Sequence, residues 1–149
     1  TLRALLARSA RERETFTASC EIWKDHLGAL ALKVPPLKER SACVAKMRRR
    51  ARRAPWAPRR DASHVKALTD VLRATLTFST IDDVRAALET LLDESAQKRA
   101  ARKGATARVV GAREKLLDSS CSGFRSATVM LRLGDDDDTA RGSVVGELR

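Results

Sequence analysis

Five side chains, met in a fixed order along the chain, are of types that handle phosphate, divalent cations or the flat face of a base. Lys38 and Lys46 come first. Asp70 follows at the head of an alternating apolar run. Phe124 sits in Gly123-Phe124-Arg125, and Glu147 lies close to Arg149. Ammonium groups on a rigid helix can hold a triphosphate, because each donates charge-assisted hydrogen bonds to phosphate oxygens. A carboxylate at the start of a strand either caps or ends the element, or serves as half of a metal-binding pair, since hard divalent cations take oxygen ligands. The last stretch reads as a hairpin presenting an aromatic ring and an acid from neighbouring strands, a form suited to the floor of a nucleotide site.

Other chemistries lack their residues. There is no Gly-x-x-x-x-Gly-Lys-Ser/Thr loop, no Gly-x-Gly-x-x-Gly and no Gly-x-Ser-x-Gly elbow. His26 and His64 complete neither a triad nor a ligand set. Cys20, Cys43 and Cys121 are far apart with no C-x-x-C pair, which argues against zinc and against a disulfide framework. A reducing, intracellular setting, cytoplasmic or organellar, is expected.

Composition agrees with a polyanionic partner. The 149 residues carry a formal charge of +11, with 43% hydrophobic but only 3% aromatic residues. That is one domain's length with a core of Leu, Val and Ala, and a charge suited to nucleotide phosphates, nucleic acid or an anionic surface. No apolar run is long enough to span a bilayer, and no signal-peptide pattern is present. The first residue is Thr1 rather than Met, as in a processed form or an excised piece.

The elements that must position these residues can be read from periodicity. Leu2 to about Lys33 is predicted as helical, with Trp23 and His26 near one face, Gly28 a point where it weakens or breaks, and Pro35-Pro36 as its stop. A second, strongly basic helix is predicted from Leu37 to Arg53; Lys38 and Lys46 then line one face, while the arginine run 48–53 fits an RNA-binding or solvated surface better. Residues 54–60 are a connector in which Trp56 either stacks on a base or caps a core edge. Val71 to Phe78 reads as a strand. The stretch Ser79-Thr80-Ile81-Asp82-Asp83 reads as an N-cap followed by acids in the first turn of a helix running to about Ser95, and Gln97 to Gly104 reads as a basic, small-residue connector. Strands follow at Thr106–Arg113, Ser122–Leu133 and Gly142–Arg149, the last two joined across the acidic turn Asp135–Asp138. The fold class is α+β: a mixed sheet of about four to five strands with helices packed on it.

This ordered set resembles the nucleotidyltransferase-like synthetase domain of the RelA/SpoT family. The resemblance rests on Lys38 and Lys46, Asp70-Val-Leu-Arg-Ala-Thr-Leu76, Ser122-Gly-Phe-Arg-Ser126 and Gly146-Glu-Leu-Arg149, and covers roughly residues 35–149. It implies a division into an N-terminal helix, 1–34, and a synthetase-type domain, 35–149. It also implies transfer of pyrophosphate from ATP to the 3′-hydroxyl of GDP or GTP, or of an RNA end. Asp70 and Glu147 would hold Mg²⁺, with Glu147 also near the acceptor hydroxyl. Lys38, Lys46 and Arg40 would clamp the donor phosphates, Arg73 and Arg125 would add phosphate contacts, and Phe124 would stack on the guanine. Phe124 stands where the family usually has Tyr. Thr75 stands at the family's usual arginine, with Arg73 on the same side of the strand to replace it. The closing Glu-hydrophobic-Gln-x-Arg pattern stops here at Glu147-Leu148-Arg149. A different class of function is a basic module without catalysis, docked on RNA in a large organellar assembly; Arg48–Arg53, Arg59-Arg60 and the basic stretch 98–103 would carry it.

Overall fold

The computed structural model describes residues 1–53, 68–115, 126–133 and 144–148. Helix α1 spans Leu2–Arg11 and is capped by the Thr1 hydroxyl, which accepts from the Ala4 amide at 3.3 Å. Helix α2, Arg13–Leu27, follows after Glu12 alone, whose φ of −83° and ψ of −1° remain in the right-handed region. The helical stretch expected from the sequence is therefore two helices. Helix α2 ends at Gly28, whose φ of +68° is a left-handed cap that a side chain would strain.

The chain then forms a short strand absent from the sequence reading, β1 (Ala31–Lys33). It pairs antiparallel with β2 (Leu72–Thr77), Leu32 opposite Leu76. Helix α3 runs Arg40–Arg53. Helix α4 (Ile81–Leu92) opens with a reciprocal capping box between Thr80 and Asp83, the start expected there. The supposed basic connector is instead a helix, α5 (Glu94–Arg102), begun by the Asp93 side chain accepting from the Ala96 amide at 2.9 Å. Strands β3 (Arg108–Lys115), β4 (Ser126–Leu133) and β5 (Val144–Leu148) complete the set.

The architecture is α+β, as expected: a mixed five-stranded sheet in the order β1-β2-β5-β4-β3 with five helices among the described residues. The one parallel pair, β2 with β5, lies inside the sheet; all other pairs are antiparallel. Strand β2 alternates, with Leu72, Ala74 and Leu76 buried while Thr75 and Thr77 are exposed. The buried row meets Phe16, Cys20 and Trp23 of α2, all but fully enclosed and spaced to share one helix face. Leu131, Leu133, Val129 and Leu148 extend this core, and Ala100 brings α5 onto it. Gly146 sits under Phe16 so closely that a Cβ there would lie 2.6 Å from the ring. A second, smaller cluster joins Cys43, Leu68 and Val71 to Leu2, Leu5 and Leu6 of α1 and to Leu37 and Met47. It fixes α3 against the entry to β2.

Candidate functional site

The site is assembled where that small cluster meets the start of β2. Cys43 and Met47 anchor α3, and the Lys38 amide donates to the Val71 carbonyl at 3.4 Å. Lys38 precedes α3, so the expected shared helix face does not explain its position. Both lysines nevertheless reach Asp70. The Lys38 ammonium lies 2.5 Å from Oδ2 and that of Lys46 2.7 Å from Oδ1. Burial alone would push the Asp70 carboxyl up. The two ammonium groups outweigh it and hold the carboxyl down, at about 2. Asp70 is thus an ionised carboxylate, only 5% exposed, with a cation on each oxygen.

Residue 69 carries the geometry onward. The Thr69 hydroxyl donates to Glu147 Oε1 at 2.8 Å, so one dipeptide, Thr69-Asp70, holds one acid and carries the other. In the parallel register Arg73 stands beside Glu147, and Leu72 beside Gly146. Arg73 is half-buried, and its Nε is enclosed with no hydrogen-bond partner among the described residues. It shares the face of β2 that carries Thr75, and Lys33 is the register partner of Thr75 across β1. A cation therefore stands on the strand next to Thr75, which the sequence alone did not suggest.

Of the residues singled out by sequence, Lys38, Lys46, Asp70, Arg73 and Glu147 come together here. Arg40 opens α3 and is exposed, apart from the pair of cations on Asp70. Phe124 and Arg125 lie outside the described residues, as do Trp56 and Asp135–Asp138. Thr69 was missed; a threonine before an acid carries no signal until a strand seventy-odd positions later is seen beside it. Trp23 and His26 meet edge-on, ring centroids 5.8 Å apart, with Trp23 in the core. Cys20 and Cys43 are buried free thiols. Burial pushes both up, Cys20 to about 12, which leaves them protonated packing groups.

Among the described residues no three of His, Cys, Asp and Glu gather as a metal cluster. The donor set at hand is two carboxylates, the kind Mg²⁺ uses when phosphate oxygens and water supply its remaining ligands. A cleft of about 660 Å³ lies elsewhere, against α5 and β3, lined by Leu92, Gln97, Ala101 and Val109 among others. It includes none of the residues around Asp70. No described helix is long and apolar enough to cross a membrane.

No family model matches the chain, and no curated protein does. Solved structures match well. A GTP pyrophosphokinase family protein from Streptococcus pneumoniae gives a TM-score of 0.60 at 16% identity, covering 99% of this chain and 65% of that one. The fold is that of a RelA/SpoT-like synthetase domain. The small alarmone synthetase 1 of Bacillus subtilis, bound to its product pppGpp, gives 0.55 at 17% identity, over 80% of this chain and 52% of that one. A further structure of the same Bacillus subtilis enzyme gives 0.54 at 17% identity, over 99% and 66%. This chain thus spans between about half and two thirds of the synthetases whose fold it shares.

Proposed function

We propose that the chain carries a Mg²⁺-dependent nucleotide pyrophosphotransferase site. It would move the β,γ-pyrophosphate of ATP to the 3′-hydroxyl of a guanine nucleotide or of an RNA end. One observation supports this above the others: an ionised Asp70 lies between Lys38 and Lys46, and its neighbour Thr69 holds Glu147 at the inner parallel pair of a synthetase-type sheet. In the reaction the acceptor oxygen bonds to the β-phosphorus, the bond between the β-phosphorus and the α,β-bridging oxygen breaks, AMP leaves with that oxygen, and the hydroxyl proton passes to a base. No covalent nucleophile is needed, which fits a site made of carboxylates and cations.

Asp70 and Glu147 supply oxygen ligands for the metal, and Glu147 lies near the acceptor hydroxyl as its proton acceptor. When bound, Mg²⁺ neutralises phosphate charge and aligns the transferring group. Lys38 and Lys46 hold the donor phosphates, Arg40 stands ready at the exposed start of α3, and Arg73 directs its guanidinium to a phosphate beside Glu147. Phe124 is the base platform and Arg125 a further phosphate contact. The test is incubation with ATP labelled at the γ-phosphate, Mg²⁺, and GDP, GTP or tRNA in turn. Label should pass to one acceptor, and Asp70→Ala should abolish it. Transfer to none of them, with nucleotide binding indifferent to Asp70→Ala, overturns the proposal.

A second reading, a basic RNA-binding module without catalysis, draws on exposed Arg40, Arg48 and Arg49 along α3. On that reading RNA affinity falls steeply with salt, because phosphate contacts release counterions. Affinity nearly independent of salt removes it.

A further inference from the structure

The lysines assigned to the donor phosphates and the acid assigned to the metal are bound to each other in the free protein. Both Asp70 oxygens carry an ammonium, at 2.5 and 2.7 Å, and the three side chains are 7%, 13% and 20% exposed for Asp70, Lys38 and Lys46. A free divalent cation approaching Asp70 meets two positive charges, one on each carboxylate oxygen. Displacing the lysines leaves two partly enclosed ammonium groups without a counterion. A metal-free polyphosphate has the opposite difficulty. If it draws the lysines away, it strips an enclosed carboxylate of both its cations, and a buried charge left without a partner is costly. Either ligand alone therefore leaves charge uncompensated. Together they do not: the ammonium groups pass from carboxylate to phosphate, and the cation takes their place on Asp70. The lysine stems are flexible enough for this, while Cys43 and Met47 keep α3 in place.

We propose that Asp70, Lys38 and Lys46 form a counterion-exchange site that admits a divalent cation only as part of a metal–polyphosphate complex. This rests on the pyrophosphotransferase reading and specifies the form in which its donor is bound.

The experiment is calorimetry on the whole chain with Mn²⁺ alone, with an ATP analogue bearing a methylene between its α- and β-phosphorus in EDTA, and with both. Mn²⁺ alone should show no saturable binding at concentrations that saturate the complex, and the analogue should bind at least about tenfold more tightly with Mn²⁺ than without. Lys46→Met, which leaves Lys38 on Asp70 and so keeps the carboxylate paired, should gain severalfold in affinity for free Mn²⁺ while losing affinity for the complex. Saturable Mn²⁺ binding to the unliganded wild type, analogue affinity indifferent to Mn²⁺, or no gain for Mn²⁺ in Lys46→Met overturns the exchange and leaves the pyrophosphotransferase reading standing. Failure of the analogue to bind with or without Mn²⁺ overturns that reading, and the exchange with it.

Discussion

Strand β2 divides its residues between two unlike regions. Leu72, Ala74 and Leu76 go to the large core under α2, which is apolar apart from the Ser19 and Thr106 hydroxyls bonded to each other at its border. Val71 and Arg73 go to the other region, where a small cluster of Cys43, Leu68 and Val71 borders a set of charges. The first region holds the sheet by area and shape. The second sets a smaller apolar cluster, which fixes α3, beside the ion pairs of Asp70 with Lys38 and Lys46. One strand thus separates stability from chemistry by alternation, and a slip of one residue would exchange the two rows.

The sharpest way to break the division is to damage the large core alone. Trp23→Ala or Phe16→Ala removes a fully buried ring and should cost about 3–5 kcal/mol, a drop of roughly ten degrees in Tm. The folded fraction should still bind the metal–nucleotide complex, as titration below the new Tm would show.

Acid acts on the other region. The folded pKa of Asp70, about 2, lies below its ordinary value of 3.8. The stabilisation from its ion pairs is therefore present above pH 4 or so and is lost as pH falls towards 2. It amounts to roughly 2 kcal/mol. Urea unfolding of the wild type should weaken across that window, and Asp70→Asn should flatten the dependence there.

A third change touches both regions. Gly146→Ala places a methyl against Phe16 on one side of β5 while Glu147 occupies the next position. Overpacking of about 1–3 kcal/mol is expected, along with weaker metal–nucleotide binding. The smallest effect belongs to Thr69→Val. It should lose about 1 kcal/mol of stability with its hydrogen bond to Glu147. In the transfer assay it should lower kcat more than it raises KM, and Thr69→Ser should restore both.

The parts of the fold legible in the sequence are those whose signal is local. The N-cap and first-turn acids at residues 79–83 announced α4, and the alternating apolar run after Asp70 announced β2. The break at Glu12 was illegible because the residue keeps a helical conformation, with no glycine or proline to mark it. Helix α5 was misread as a connector because its inward residues, Ala96 and Ala100, are too small to form an apolar stripe. Strand β1 is too short to alternate. In the site, Lys38, Lys46, Asp70 and Glu147 could be picked out by type and order. Their arrangement could not, since the meeting of Asp70 with the lysines and of Thr69 with Glu147 is a product of tertiary packing.

The order of strands in the sheet carries a consequence for when the site comes into being. Strand β5 comes last in sequence among the described strands but occupies the middle, between β2 and β4. Without it, β1–β2 and β3–β4 are two separate antiparallel pairs that β5 alone joins among the described strands. Asp70 and its lysines belong to one half, and Glu147 to neither. The closing contact, Thr69 with Glu147, joins residues 78 positions apart, and contacts of such separation form late because their loop entropy must be overcome first. A chain emerging in order of synthesis therefore brings Lys38, Lys46 and Asp70 together early and gains Glu147 beside Thr69 only when β5 locks the two halves together.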